Sequence, residues 1–175
     1  GKRADVALDV PQTVVNFGTG GIKRSDPDFM TAYVLNFILG GSAFSSRYYT
    51  EVREKRGLAY SVFSSLIWLE HTDLFIGGTA TRADRADEAI SHITDETRRF
   101  ANDGPTQQEL DEAKSYLKGS QMLALDTSAK IAGALVQYQL DNLGIDYIDR
   151  RNALIDAVTL DDAKRVAKRL WSGGL

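Results

Sequence analysis

The chain of 175 residues is as long as one ordinary domain, and its 43% hydrophobic and 26% charged residues describe a globular protein. The formal charge of −3, with Lys and Arg scattered, argues against a nucleic-acid partner or an anionic membrane surface. With no cysteine, the chain has no disulfide, no cysteine-based zinc site and no thiol nucleophile. No apolar run approaches the ~20 residues of a membrane helix. We expect a soluble protein of the cytoplasm or the periplasm, and a piece of a longer chain because Met does not begin it.

The predicted elements follow from apolar periods of two residues for strands and three to four for helices. In chain order they are a strand at 14–17, helices at 26–39 and 45–56, strands at 58–69 and 73–81, and helices at 84–103, 106–124, 126–142, 147–157 and 160–171. The break at 70–72 is too short for a parallel crossover, so the two central strands are antiparallel. The pattern predicts one α+β domain over 1–175, with an antiparallel sheet packed against helices and a helical C-terminal part.

Helix ends and inner faces are predicted from local signals. Asp26 with Pro27 and Asp84 are predicted helix starts, and Thr106 with Glu109 forms a capping box. Thr159 is the predicted cap of the last helix. The positions predicted to face the core are Met30, Tyr33, Val34, Phe37 and Ile38; Tyr48, Tyr49 and Val52; Ala86, Ile90, Ile93, Thr97 and Phe100; and Leu110, Ala113, Leu117 and Ala124.

Two motifs suggest cofactor chemistry, but their spacing is wrong. The glycines of 18–21 lack the third glycine of a dinucleotide fingerprint, since Lys23 stands there, and are predicted to form a strand-ending turn. Residues 67–71 end like the inverted zinc motif His-x-x-Glu-His, but Ile67 occupies the first ligand position and the segment ends a strand. Only His71 and His92 remain, fewer than the three ligands of a catalytic zinc. We therefore predict no metal site in this chain.

Hydroxyl and acidic groups have simpler interpretations. A Gly-x-Ser-x-Gly elbow is absent, so the serines near the glycine turn are predicted helix caps: Ser42, Ser45 and Ser46. The acidic pairs at 111–112 and 161–162 stand at helix starts, where carboxylates favour the helix dipole. Glu112 receives only a solvated or capping role.

Residues 40–62 form the densest motif of the chain. A Gly-Gly turn is followed by Ser45-Ser46-Arg47 and by a helix that ends in Arg-Glu-Lys-Arg-Gly-Leu-Ala-Tyr-Ser at 53–61. This stretch resembles the signature of the C-terminal half-domain in the insulinase/pitrilysin/mitochondrial processing peptidase family. The resemblance extends more loosely over the whole chain, including the Gly-Pro-Thr-x-x-Glu-Leu stretch from Gly104.

The resemblance implies a role in a zinc metalloendopeptidase. Members of this family consist of homologous α+β half-domains that close over a chamber, and one half carries the zinc motif and its catalytic glutamate. The other half lacks zinc and contributes an arginine and a tyrosine, seven residues apart, that contact the peptide; these positions fall on Arg53 and Tyr60. The chain would then be the C-terminal, zinc-free half, with no catalytic residue of its own and inactive alone. Its partners would be a zinc-bearing N-terminal half-domain or subunit and a peptide substrate, and the full protein would be a dimer.

The chemistry of the pair suits this role. Arg53, on the last turn of a helix, can donate to a substrate carbonyl, and Tyr60, at the head of a strand, can donate to the oxyanion of peptide hydrolysis. From the residues alone, the pair also fits a partly exposed arginine and a half-buried strand tyrosine. Arg47, Lys55 and Arg56 are predicted to form a solvated helix face, although one of them could contact the partner half. Two alternatives remain open: half of a non-catalytic partner subunit, and a structural relative similar to the core subunits of a respiratory complex.

Overall fold

A three-stranded antiparallel sheet forms one layer of the computed structural model, which describes residues 4, 6 and 10–175. Its strands are β1 (Gln12–Gly20), β2 (Ala59–Trp68) and β3 (Asp73–Arg82), and β3 lies between the other two. Both pairings are antiparallel, with Val15 opposite Thr79 and Leu66 opposite Phe75. The predicted hairpin and antiparallel sheet are confirmed, and β1 is longer than the predicted strand at 14–17.

Helices form the second layer, and the predicted α+β class is confirmed. The α-helices are α1 (Phe29–Asn36), α2 (Ala86–Asp103), α3 (Gln107–Ala124), α4 (Ser128–Leu140), α5 (Tyr147–Asp156) and α6 (Leu160–Trp171). Two further segments, Phe37–Gly41 and Tyr49–Glu54, are π-helical, with i+5 hydrogen bonds such as Lys55 N to Thr50 O at 3.0 Å. Such wider turns occur frequently at functional sites. Within the described residues, no helix has the length and apolarity needed to span a membrane.

Some helix starts differ from prediction. The capping box of Thr106 and Glu109 is confirmed, and Thr159 accepts the Asp162 amide at 3.1 Å. The start at Asp26 is wrong: α1 begins at Phe29, and the Asp26 carboxylate instead accepts the Asp28 amide at 2.8 Å. Asp84 does not cap α2 either. Its carboxylate binds the Arg82 side chain, and a 3₁₀ turn at Ala83–Arg85 precedes the helix.

The core lies between the helices and the inner face of the sheet. Trp171 of α6 is buried between Phe75 of β3 and Phe100 of α2, with ring centroids 5.2 and 5.7 Å away. The predicted inner faces are largely confirmed, with two exceptions. Ile90 is 43% exposed because the buried stripe of α2 passes through Ala89 instead, and Ala124 is exposed at the end of α3.

An ionic cluster connects the start of α1 to α6. Arg165 contacts the Asp28 carboxylate at 2.7 Å, and Arg169 contacts both Asp28 and Asp26, at 2.6 and 2.7 Å. Hydrogen bonds from Arg165, and then from Arg169, overcome partial burial and lower the pKa of Asp28 from 3.8 to about 2. The ionised carboxylate therefore stabilises the folded state.

Stability should depend on pH through Asp28. A carboxyl whose pKa is lowered by folding contributes stability above its unfolded pKa of 3.8, and this contribution is lost as pH falls towards about 2. The melting temperature of Asp28→Asn should lie furthest below that of the wild type above pH 4 and approach it near pH 2. Thermal unfolding across this range measures the difference, with Asp95→Asn, in an exposed pair with Arg98, as the control. A difference that does not vary with pH would contradict the assignment.

Candidate functional site

The turn between the π-helical segment and β2 positions both predicted site residues. Arg53 lies on the last turn of Tyr49–Glu54, and the backbone then reverses at Gly57, which has a φ of 59°. The Gly57 amide donates to the Arg53 carbonyl at 2.8 Å, and the Leu58 amide to the Val52 carbonyl at 2.9 Å. Left-handed φ values favour glycine, so Gly57 allows the chain to enter β2 directly after the helix.

The glycine turn of the motif allows close packing behind the site. A Cβ atom added to Gly40 would lie 2.4 Å from the Ser64 hydroxyl and 2.6 Å from the Tyr48 ring. Only glycine can occupy such a position without displacing its neighbours. Tyr48 is fully buried and its hydroxyl bonds Thr97 at 2.7 Å. The helix that carries Arg53 is thereby anchored against the sheet and α2.

A β-bulge presents Tyr60 to solvent. Ala59 pairs with Thr81 and Val62 with Thr79, so three steps along β2 oppose two along β3. Both flanking residues of β2 are buried, while Tyr60 and Ser61 between them are exposed. Bulges commonly redirect a side chain next to a functional site. Tyr60 is 82% exposed, so the alternative of a half-buried strand tyrosine is wrong.

The fold brings Arg53 and Tyr60 into contact. The Arg53 guanidinium carbon lies 4.7 Å from the centre of the Tyr60 ring and 5.0 Å from that of Tyr49. Such cation–π contacts stabilise by about 0.5–1 kcal/mol at exposed sites. Phe44, 74% exposed, packs edge-on against Tyr49 at 5.8 Å. The sequence analysis assigned Tyr49 only to the core and did not select Phe44. The i, i+4 spacing of Tyr49 and Arg53 on one helix face was a signal that could have predicted their contact.

The cations next to Arg53 are neutralised by Glu51. This carboxylate accepts Lys55 Nζ at 2.6 Å and Arg56 Nη1 at 2.7 Å, and Arg99 lies 3.5 Å away. Burial opposes ionisation of Glu51, but the hydrogen bonds from Lys55 and Arg56 outweigh it and lower its pKa. Within residues 10–175, by contrast, the Arg53 guanidinium has no hydrogen-bond or ion-pair partner and lies against the rings of Tyr49 and Tyr60. Among the residues described, none therefore occupies its hydrogen-bond donors.

Arg47 is not part of a solvated face, and that prediction is wrong. Its guanidinium donates twice to the Glu109 carboxylate at 2.7 Å, to Glu96 at 3.2 Å and to the Gly104 carbonyl at 3.2 Å. The side chain is 17% exposed and that of Glu96 only 2%. Hydrogen bonds from Arg47 overcome the effect of burial and lower the pKa of Glu109. Arg47 therefore connects the helix that carries Arg53 to α2 and α3.

The described residues do not fit a zinc site. Within 10–175, no group of three or more His, Cys, Asp or Glu is arranged to hold a metal ion. His71 lies at the exposed tip of the hairpin, with Glu70 at 3.9 Å, and His92 lies on α2. The serines behave as local structure: Ser46 accepts the Tyr49 amide at 3.3 Å, and the hydroxyls of Ser42 and Ser45 bond each other at 2.7 Å.

Comparison with known proteins identifies the family. Residues 3–117 match the family described as the peptidase M16 inactive domain. An uncharacterized zinc protease of Streptomyces coelicolor is 34% identical over 157 residues, which are 90% of this chain and 34% of that protein. A protein of Helicobacter pylori described as a non-peptidase homolog is 33% identical over 72% of this chain and 30% of its own length.

Solved structures agree with this assignment. A peptidase M16 inactive domain from Pseudomonas fluorescens superimposes with a TM-score of 0.85 at 32% identity, over 94% of this chain and 39% of that one. The chain thus spans about a third of the length of the curated relatives it matches. The family predicted from residues 40–62 is confirmed. The chain belongs to the peptidase M16 family, and its residues 3–117 match the inactive domain of that family.

Proposed function

We propose that this chain is the substrate-binding, zinc-free half of a zinc-dependent metalloendopeptidase. The observation that carries the proposal is the contact between Arg53 and the exposed Tyr60, at 4.7 Å from guanidinium carbon to ring centre. Their donors share one surface, which the bulge in β2 and the turn at Gly57 create. The description of an S. coelicolor relative as a zinc protease supports the activity class.

The two donors act at different stages of peptide hydrolysis. The Arg53 guanidinium is always charged and donates to a carbonyl that the bound peptide has before any reaction. This interaction therefore already exists in the ground state. The Tyr60 hydroxyl donates to the carbonyl oxygen under attack, and its bond strengthens as negative charge develops there. Zinc held by the other half would supply the Lewis-acid chemistry. The segment alone would then bind peptide without hydrolysing it.

The surface of α4 supports the need for a partner. No residue of this helix is buried, and its apolar side chains include Val136 and Leu140, 57% and 70% exposed. Met122 and Leu123 at the end of α3 are 79% and 75% exposed. Large exposed apolar patches mark interaction sites in soluble proteins. We propose that a zinc-bearing half-domain or subunit completes the chamber, and that the full protein is a dimer.

A second candidate is half of a non-catalytic partner subunit. The H. pylori relative, described as a non-peptidase homolog, favours it. Such a subunit would retain the peptide-binding pair and rely on zinc in a separate chain. The two candidates differ in whether the polypeptide that contains Arg53 also contains the metal.

Photo-crosslinking tests the proposed binding surface. With p-benzoylphenylalanine at position 60 of the full-length protein, ultraviolet light should attach an unstructured peptide substrate to this chain. The same group at Tyr116, which is 61% exposed on α3 and stacks on Phe37, is the control. Hydrolysis is measured on the unsubstituted full-length protein, which keeps the Tyr60 hydroxyl. Hydrolysis that a chelator abolishes supports the peptidase, and capture at position 60 without hydrolysis by the unsubstituted protein supports the partner subunit. Equal labelling at both positions, or none at position 60, would refute peptide binding there.

A further inference from the structure

Two buried threonines of β3 lie directly beneath the bulge that carries Tyr60. The Thr81 hydroxyl donates to the Leu58 carbonyl at 2.5 Å, and the Thr79 hydroxyl donates to the Ser61 carbonyl at 2.7 Å. Their residues are 3% and 5% exposed. The two accepting carbonyls lie on either side of Tyr60, that of Leu58 directly before β2 and that of Ser61 within it, so both ends of the bulge are fixed to the central strand.

The bulge needs such support because it interrupts the strand pairing. The extra residue in β2 leaves the ladder irregular between Ala59 and Val62. Backbone carbonyls in an irregular stretch lose their regular partners, and buried ones require another donor. Thr79 and Thr81 pair with Val62 and Ala59, the two residues at which regular pairing stops and resumes. The hydroxyls therefore add hydrogen bonds from β3 at the places where the backbone departs from regular geometry.

We propose that Thr79 and Thr81 are positioning residues for Tyr60. By holding the Leu58 and Ser61 carbonyls, they maintain the bulge, and the bulge keeps the Tyr60 ring against the Arg53 guanidinium. Loss of the hydroxyls would let β2 relax towards regular pairing, which turns successive side chains to opposite faces of the sheet. This inference rests on the proposed function of Tyr60, but its structural part can be measured without any activity.

The chain offers a matched control for buried threonine. Thr31 of α1 is 7% exposed, and its helix packs through Phe29 against Trp68, at the opposite end of β2 from the bulge. Replacing Thr31 with valine also removes a buried hydroxyl, but away from Tyr60. A change at Tyr60 that the β3 variants show and Thr31→Val does not therefore reports positioning and not general loss of packing.

The test uses 3-fluorotyrosine at position 60 of the full-length protein and ¹⁹F NMR. Removing the guanidinium in Arg53→Ala should shift the fluorine resonance. Thr79→Val/Thr81→Val should shift it in the same direction, whereas the serine pair Thr79→Ser/Thr81→Ser and the control Thr31→Val should keep the wild-type position. Either single valine variant replaces the pair if the double variant does not fold. A wild-type resonance in the folded valine variants would overturn the proposal.

Kinetics separates this inference from the proposed function. The valine pair should lower kcat by about 10- to 100-fold, the scale expected when a catalytic group is displaced by about 1 Å. In a Tyr60→Phe background the same pair should cause little further loss, because both changes act through one hydroxyl. Equal losses in both backgrounds would overturn the positioning role. Suppose instead that Tyr60→Phe is fully active and that the fluorotyrosine resonance is shifted in the valine pair. This result would refute the proposed function of Tyr60 and leave the support of the bulge intact.

Discussion

Tyr60→Phe in the proposed full-length peptidase is expected to lower kcat by about 10²–10³-fold, with a smaller change in KM. The hydroxyl bond favours the transition state over bound substrate, because the carbonyl oxygen gains negative charge only as the reaction proceeds. The fold should survive, since the side chain is 82% exposed and the ring that contacts Arg53 is retained. Steady-state kinetics on the zinc-loaded protein measures the effect, and circular dichroism checks the fold.

Arg53→Ala serves as the contrasting variant. Its contact with a substrate carbonyl exists before the chemical step, so both KM and kcat should change. Tyr116→Phe is the control, because it removes an exposed tyrosine hydroxyl on α3. If kcat/KM stayed near the wild-type value in both Tyr60→Phe and Arg53→Ala, the pair would be ordinary surface structure.

Arg47→Met is expected to give the largest loss of stability, about 3–5 kcal/mol in the free energy of unfolding. Methionine removes the guanidinium that pairs with Glu96 and Glu109. Among the described residues, Glu96, whose side chain is only 2% exposed, then keeps Arg99 as its cation, and Glu109 keeps none. Removing one partner of a buried ion pair is far more costly than the loss of a surface pair. Urea denaturation monitored by circular dichroism measures the change.

Two controls test this explanation of the Arg47 effect. Arg98→Met breaks an exposed pair with Asp95 and should leave the urea midpoint almost unchanged. Adding Glu109→Gln to Arg47→Met should restore part of the lost stability, because among the described residues Glu109 pairs with Arg47 alone, whereas Glu96 keeps its pair with Arg99. A loss in Arg47→Met no larger than that of Arg98→Met would show that Arg47 is a solvated residue after all.

Local sequence signals predicted most of the secondary structure. The capping box of Thr106 and Glu109 forms as expected, because both partners lie within one helical turn. The short break at 70–72 required an antiparallel hairpin, and the structure contains one. The starts at Asp26 and Asp84 failed because distant or neighbouring arginines compete for these carboxylates. A cap depends on few atoms, so a single ionic partner can change it.

By itself the sequence determined the family, the α+β class and the candidate pair Arg53 and Tyr60, because these depend on residue identity and spacing along the chain. Tertiary structure decided how the pair is displayed. The bulge in β2 exposes Tyr60, and bulge position depends on the register against β3, which no local pattern in β2 contains. The tertiary structure also partly buried Arg47, whose partners are 49 and 62 residues away. Periodicity reports only the faces of an isolated element, and burial of a charge depends on which opposite charges the fold brings next to it.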